Sequence, residues 1–167
     1  VVSGSQHNRK CVSHGRDAGI DQLVPTCVVG SEYVVTRGED GYNPSTFNYA
    51  TVVAVTSNTQ IFIDGSTTPA ATLVNPGDYW EYQMPTPNGS SHLITTSFPA
   101  YVYQFGSLES NGEIGMAIAA PIDGCRGDRF VEFTEFPGST RNIATVIIQN
   151  SGLPSLTLNG QPYTNFT

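Results

Sequence analysis

The sequence contains few basic residues and no long apolar run. Seven lysine and arginine residues stand against 14 aspartate and glutamate residues, and the net charge is −7 at pH 7. Nucleic acids and anionic membrane surfaces are bound by basic faces, so this balance argues against both as partners. No stretch of about 18 apolar residues is present, and the sequence therefore predicts no membrane-spanning helix.

Lysine and glutamate are also scarce, whereas Thr, Ser, Asn, Gly, Val and Tyr are abundant. Such a composition disfavours helices and is typical of extracellular all-β proteins. The 167 residues suffice for one domain with its own hydrophobic core. The chain has no initiator methionine and no signal-peptide pattern, so we expect it to begin after a processing site or inside a longer protein.

Between Tyr49 and Gly106, runs of β-branched and aromatic residues alternate with residues that favour turns. Asp64-Gly65 suits a tight turn with positive φ, and Asn75-Pro76-Gly77 interrupts the third run. The stretch predicts a four-strand antiparallel meander, the core of an all-β, antiparallel, β-sandwich-like module. Propeller-like blades are the alternative. The four runs span residues 51–56, 59–64, 71–74 continued by 78–83, and 92–104.

An internal repetition predicts a second unit. Residues 144–160 resemble residues 52–65, because each segment has a strand, a turn and a second strand that ends in Asx-Gly. We therefore predict a principal β module over residues 1–140 and an incomplete second unit over 141–167, within a longer repetitive protein. The alternative is that two unrelated hairpins look alike. The polar composition of residues 6–21 predicts irregular structure. Further strands are predicted at 1–5, 32–36, 130–136 and 141–150, and at 114–121, where the small apolar residues predict a strand buried on both faces and a short helix is the alternative.

Cysteines and glycosylation motifs favour an extracellular location. Cys11, Cys27 and Cys125 form an odd set, which in a secreted protein predicts one disulfide and a leftover thiol, or a bond to another segment or chain. Three reduced thiols in an intracellular protein are the alternative. The sequons that begin at Asn88 and Asn165 predict N-glycosylation and favour the extracellular reading.

The sequence offers no set of residues for catalysis or for holding a metal. Cys11, His14 and Cys27 lack the fourth ligand of a structural zinc site, and the Cys11–His14 pair lacks a third group to orient it. The acidic residues do not follow the spacing of a calcium-binding loop. We therefore expect a non-enzymatic protein without a metal or other cofactor.

Two patterns are candidates for ligand binding. Tyr79, Trp80 and Tyr82 supply aromatic faces that could stack on sugars, although such residues more often fill the core of a β protein. Arg126-Gly127-Asp128 is the integrin-type tripeptide and requires an exposed loop tip for that role.

Several blocks follow one another in a familiar order. The opening block is Asp21-Gln-Leu-Val-Pro25 followed by Gly30-Ser-Glu-Tyr-Val-Val35, and later blocks lie at 53–65, 73–77, 99–104 and 121–125. In this order they resemble the N-terminal domain family of IgGFc-binding proteins over nearly the whole chain. Val29 stands where that family has an aromatic residue, and the cysteines are placed differently, so no disulfide pairing is carried over.

The resemblance implies a large, modular, β-rich protein that is secreted or displayed on a cell surface. The function we expect is a structural or adhesive module that contacts other modules, other copies of itself or extracellular glycoproteins, with assembly into filaments left open. A carbohydrate-binding module that uses exposed aromatic residues is the alternative. Binding of IgG Fc is not implied, because function inferred from family alone is analogy.

Overall fold

The computed structural model describes residues 2–5, 19–22, 24–37, 48–85, 89–106, 115–123, 146–148 and 150–164. Within these ranges the chain is almost entirely antiparallel β structure, so the all-β prediction is confirmed. None of the helices found there has the length and apolar character needed to span a membrane. The strands are β1 (Val2–Ser5), β2 (Gly19–Gln22), β3 (Glu32–Thr36), β4 (Tyr49–Ala54), β5 (Thr59–Ile63), β6 (Ala71–Leu73), β7 (Tyr79–Gln83), β8 (Ser91–Thr96), β9 (Ala100–Gly106), β10 (Gly115–Ile118), β11 (Thr157–Leu158) and β12 (Gln161–Pro162), with 3-10 helices at Thr26–Val28 and Asn150–Ser155.

Two four-stranded antiparallel sheets form the body of the molecule. The first sheet has the strand order β10-β9-β4-β7, and the second has the order β3-β8-β5-β6. β1 pairs with β2, and β11 pairs with β12, in separate two-stranded sheets. The arrangement agrees with the predicted sandwich-like module.

The core lies where the inner faces of the two sheets meet. Val52 of β4 lies opposite Val102 of β9, and both side chains are fully buried. Each buried side chain of this size stabilises the fold by roughly 1.5–3 kcal/mol relative to leaving it exposed. The buried residues of the cluster are Tyr33, Val35, Ala50, Val52, Ala54, Ile61, Leu73, Met84, Ile94, Ala100 and Val102.

The predicted meander is wrong in its connections. The stretch from Tyr49 to Gly106 forms six strands rather than four, and they are divided between the two sheets. β4 pairs with β7 and β9, not with β5. The turn at Asn58, where φ is 58°, carries the chain from the first sheet to the second, and the turn at Gly77, where φ is 88°, carries it back. A strand with one apolar face is satisfied by burial against either sheet, so local alternation does not reveal its pairing partner.

Outside this stretch the strand predictions have mixed outcomes. β1 and β3 are confirmed, but β2 lies in a segment that we predicted to be irregular. β10 is a strand as predicted, yet it lies at the edge of its sheet with Ala117 exposed, so burial on both faces is wrong. The predicted strand at 130–136 lies outside the described residues.

The internal repetition is only partly visible. Residues 146–148 have no strand conformation and their side chains are accessible, so the predicted strand at 141–150 is wrong where the structure describes it. The Asx-Gly turn does recur: φ is 52° and 74° at Asp64-Gly65, and 51° and 77° at Asn159-Gly160. The division at residue 140 stays a prediction.

Candidate functional site

Hydrogen bonds around Gly30 close one end of the sandwich, and we call this arrangement the Gly30 clasp. The Tyr33 hydroxyl, which is buried, accepts a bond from Gly30 N–H (2.9 Å) and donates one to the carbonyl of Ala100 (2.5 Å). Ala100 N–H donates in turn to the carbonyl of Gly30 (3.0 Å). Tyr33 belongs to the second sheet and Ala100 to the first, so one phenol joins the two sheets at this end.

The segment after β10 packs onto the same clasp. Ser31 N–H donates to Asp123 Oδ2 (2.8 Å), and Ile122 N–H donates to the carbonyl of Glu32 (2.8 Å). Burial would raise the pKa of Asp123, but hydrogen bonds from the backbone N–H groups of Ser31 and Glu32 hold that pKa below its usual value. The carboxylate therefore stays ionised at neutral pH and closes the end of β3.

The packing at Gly30 leaves no room for a side chain. A Cβ atom at this position would lie 2.5 Å from Pro121 Cβ and closer still to Asp123 Oδ1. Gly30 and Pro121, which are 91 residues apart in the sequence and belong to two of the blocks named above, thus meet in space.

Three large apolar side chains are exposed beside the clasp, and we call them the end patch: Val28, Phe98 and Ile122, at 43–47% exposure. Val28 lies two residues before Gly30. The Phe98 carbonyl accepts a hydrogen bond from Thr96 Oγ1 (2.8 Å). The backbone N–H of Thr96 donates to the carbonyl of Ser31 (2.8 Å). The main chain of all three residues therefore lies in or next to the hydrogen bonds of the clasp, at one end of the sandwich.

Cys27 adjoins the end patch. Its side chain is exposed, and it has no disulfide partner among the described residues. Cys11 and Cys125 lie outside those residues, so the predicted disulfide stays a prediction.

A second polar cluster joins the sheets on the β7 side. His92 Nδ1 lies 2.8 Å from Asp64 Oδ2 and 3.2 Å from the Tyr82 hydroxyl. The other carboxylate oxygen of Asp64 accepts a bond from Leu93 N–H (2.9 Å). His92 Nε2 is buried and has no hydrogen-bond partner in the described part of the chain. The imidazole is thus held against Asp64 through Nδ1. Asp64 itself has a positive φ of 52° in its turn.

The ionisation of Asp64 follows from these contacts. Burial would raise its pKa, but the hydrogen bonds from His92 and Leu93 and the positive charge that His92 can carry bring it below the usual value. Burial and the negative charge of Asp64 raise the pKa of Tyr82, so the phenol stays neutral.

Asp64→Asn is expected to lower the free energy of unfolding at pH 7 by about 1 kcal/mol, because the charge-assisted bond to His92 is lost. Asparagine tolerates the positive φ, so the turn is kept. Since the folded pKa of Asp64 lies below its unfolded value of about 4, its stabilisation is present above that value and is lost as pH falls through the folded pKa. The variant should show a flatter loss of stability below about pH 4 in urea unfolding.

Asp78→Asn is the matched control for this prediction. It removes a turn carboxylate that accepts a hydrogen bond from Asn75 N–H (2.8 Å), and no hydrogen bond joins it to a histidine in the described part of the chain. An acid profile of Asp64→Asn that equals that of the unmodified chain would contradict the assigned role of Asp64.

The three aromatic residues predicted for sugar stacking do not share one surface. Trp80 and Tyr82 face inward, pack against the core and stack on each other with centroids 5.8 Å apart. Tyr79 faces the opposite way and is 66% exposed. Alternation along β7 explains the split, and sugar binding stays a prediction.

The remaining sequence candidates lie outside the described residues and also stay predictions. They are the glycosylation candidates Asn88 and Asn165 and the tripeptide Arg126-Gly127-Asp128. In the described part of the chain, no group of three or more His, Cys, Asp or Glu residues is placed to hold a metal ion.

No sequence pattern predicted a role for Tyr33, Asp123 or His92. The block order contained a partial signal, because Gly30, Tyr33 and Asp123 fall within its blocks. His92 has no such signal, since its contacts depend on a turn 28 residues earlier in the chain.

Comparison with known proteins identifies the family of the chain. The family model described as IgGFc binding protein matches residues 1–167, the whole chain. Searches of curated proteins and of solved structures give no significant match. The resemblance found in the sequence blocks is thereby confirmed.

Proposed function

Because the chain belongs to the IgGFc binding protein family, we propose that it is a structural or adhesive module of a large extracellular or cell-surface glycoprotein. Membership of this family indicates an extracellular binding or structural module rather than an enzyme. We further propose that the module acts without catalysis, through contacts with other modules or with other copies of the chain. The family name alone does not identify IgG Fc as its partner.

The observation that carries this proposal is the end patch. Single exposed apolar residues are common on protein surfaces, but a group of them marks an interaction site. The main-chain bonds of the Gly30 clasp bring the backbones of Val28, Phe98 and Ile122 to one end of the sandwich, and we propose that their exposed side chains act there as one surface whose backbone is fixed before a partner binds. A pre-ordered surface loses less entropy on binding. Cys27 beside it supports a covalent link to a neighbouring chain as a further means of contact.

Light scattering across a concentration series, with and without reductant, tests the proposal. We expect the mean mass to rise with concentration, and any disulfide-linked fraction to disappear in reductant. The double variant Phe98→Ser with Ile122→Ser should weaken association roughly tenfold or more, because two partly buried apolar contacts are lost.

Leu158→Ser is the matched control, since Leu158 is similarly exposed (54%) but belongs to the separate β11–β12 hairpin. It should leave association unchanged. A chain that stays monomeric at every concentration, or that loses association equally in the control, would argue against contact through the end patch.

A further inference from the structure

We propose that the outer face of the first sheet binds a neutral sugar, whose ring lies over Val53 between the side chains of Tyr79 and Tyr101. We call these three residues the Val53 groove. The inference goes beyond the proposed function, because it adds a small saccharide ligand to a module that acts through contacts with other modules. It also uses a different set of residues from the sequence prediction, since Trp80 and Tyr82 face the core.

The register of the first sheet places one tyrosine on each side of Val53. Val53 of β4 pairs with Tyr79 of β7 and with Tyr101 of β9. Directly opposite residues of antiparallel strands have neighbouring side chains on one face of the sheet. Val52 points into the core, so Val53 and the two tyrosines point outward by alternation.

The spacing of the two tyrosines fits a single sugar ring. Neighbouring strands lie about 4.8 Å apart, so the main chains of Tyr79 and Tyr101 are separated by about 10 Å across β4. A ring in van der Waals contact with a side chain on each of its faces needs about 7–8 Å between those side chains. Val53 is half-buried and supplies an apolar floor to the groove.

Tyr101 is fixed in its position. Its hydroxyl donates to the carbonyl of Val24 (2.6 Å), and its ring stacks on Tyr103 with centroids 6.3 Å apart and planes at 25°. Tyr103 in turn packs against the buried pair Tyr49 and Phe105. A side chain that is already ordered loses less entropy when a ligand binds.

The accessible part of this face is the row at Val53. Tyr79 is 66% exposed, whereas Thr51, two residues before Val53 on the same face, is only 9% exposed. A ligand therefore meets the outer face at the Val53 groove, where an exposed ring adjoins a fixed one.

The chemistry of the groove suits an uncharged sugar. Two phenol rings and a valine offer apolar surface to the C–H groups of a sugar ring, and the phenol oxygens can bond its hydroxyl groups. The Tyr101 oxygen keeps an acceptor lone pair after it has donated to Val24. The net charge of −7 disfavours anionic sugars such as sialic acids.

Titration of the full chain with the methyl glycosides of glucose, galactose and N-acetylglucosamine, followed by NMR, tests the groove. We expect at least one of them to bind with a dissociation constant of roughly 1 mM, since a single sugar contacts few groups. Because the ligand is neutral, this constant should not change with NaCl concentration.

Variants at Tyr79 test the assigned residues. Tyr79→Ala should raise the dissociation constant about tenfold, because one stacking face is lost, whereas Tyr79→Phe should keep it within about threefold. Tyr163→Ala is the matched control and should leave binding unchanged, since Tyr163 is an accessible tyrosine (37% exposed) that follows the separate β11–β12 hairpin. Circular dichroism checks that each variant is folded.

The outcomes separate this inference from the proposed function. Neutral glycosides that bind to the unmodified chain and lose affinity only in Tyr79→Ala support the groove. Absence of binding by all three glycosides, an unchanged dissociation constant in Tyr79→Ala, or tighter binding of N-acetylneuraminic acid than of the neutral sugars overturns it. Phe98→Ser with Ile122→Ser should weaken association and leave sugar binding intact, and Tyr79→Ala should do the reverse. Loss of association with intact sugar binding, or the converse, therefore shows which of the two proposals fails.

Discussion

Gly30→Ala is expected to lower the free energy of unfolding by about 3 kcal/mol or more, at the upper end of the range for overpacking. The added methyl group would overlap Pro121 Cβ and Asp123 Oδ1. The proline ring cannot move without displacing the main chain, and Asp123 cannot move without releasing Ser31 N–H. Urea unfolding followed by fluorescence measures the effect, because the single tryptophan, Trp80, packs against the core.

Gly65→Ala is the control for this prediction. Gly65 has a φ of 74° and open space around it, so alanine there carries only the backbone strain of about 1–2 kcal/mol. In the Gly30→Ala background, Asp123→Ala should destabilise less than it does alone, because it removes one of the two overlapping groups. If Gly30→Ala were no more destabilising than Gly65→Ala, the close packing assigned to the Gly30 clasp would be wrong.

Tyr33→Phe is expected to be the second large effect, at about 2–4 kcal/mol. The substitution keeps the ring in the core but removes the hydroxyl that bonds Gly30 N–H and the Ala100 carbonyl. Both main-chain groups are left without that partner in a buried place, and each such group costs about 1–3 kcal/mol. Equilibrium unfolding in urea gives the change, and an unchanged m-value would show that the unfolded state is unaffected.

Tyr101→Phe provides the comparison for the hydroxyl. The Tyr101 hydroxyl donates to the carbonyl of Val24 (2.6 Å) in a half-buried position, where water can replace it. We expect a loss of about 1 kcal/mol or less. Equal losses in the two variants would mean that the Tyr33 hydroxyl has no special position between the sheets.

The stability of the Gly30 clasp bears on the proposed function through the end patch. Val28, Phe98 and Ile122 have their main chain in or next to the clasp, so any loosening of the clasp also disorders that surface. The same end of the molecule therefore combines close packing at Gly30 with three exposed apolar side chains. This combination suits a module that presents a preformed contact surface.

The structure places the predicted candidates unevenly. Cys27 lies beside the end patch, where it can contribute to an inter-chain contact. Trp80 and Tyr82 belong to the core, although their types and spacing equally suited a sugar-binding surface. Aromatic side chains of a strand have the same local pattern in both roles, and only the position of the opposite sheet distinguishes them.

Local chemistry determined the all-β class and the turns of this protein. Positive φ at Asp64-Gly65 and at Gly77 follows from residue type, because few other residues tolerate that backbone region. β-branched and aromatic runs likewise determined where most strands lie. Tertiary structure alone decided which strands pair, because the main-chain hydrogen bonds of β4 can be made with β7 and β9 as well as with β5. It also decided that Gln104 closes the edge at Thr36, 68 residues earlier, because such a contact depends on two sheets packed face to face.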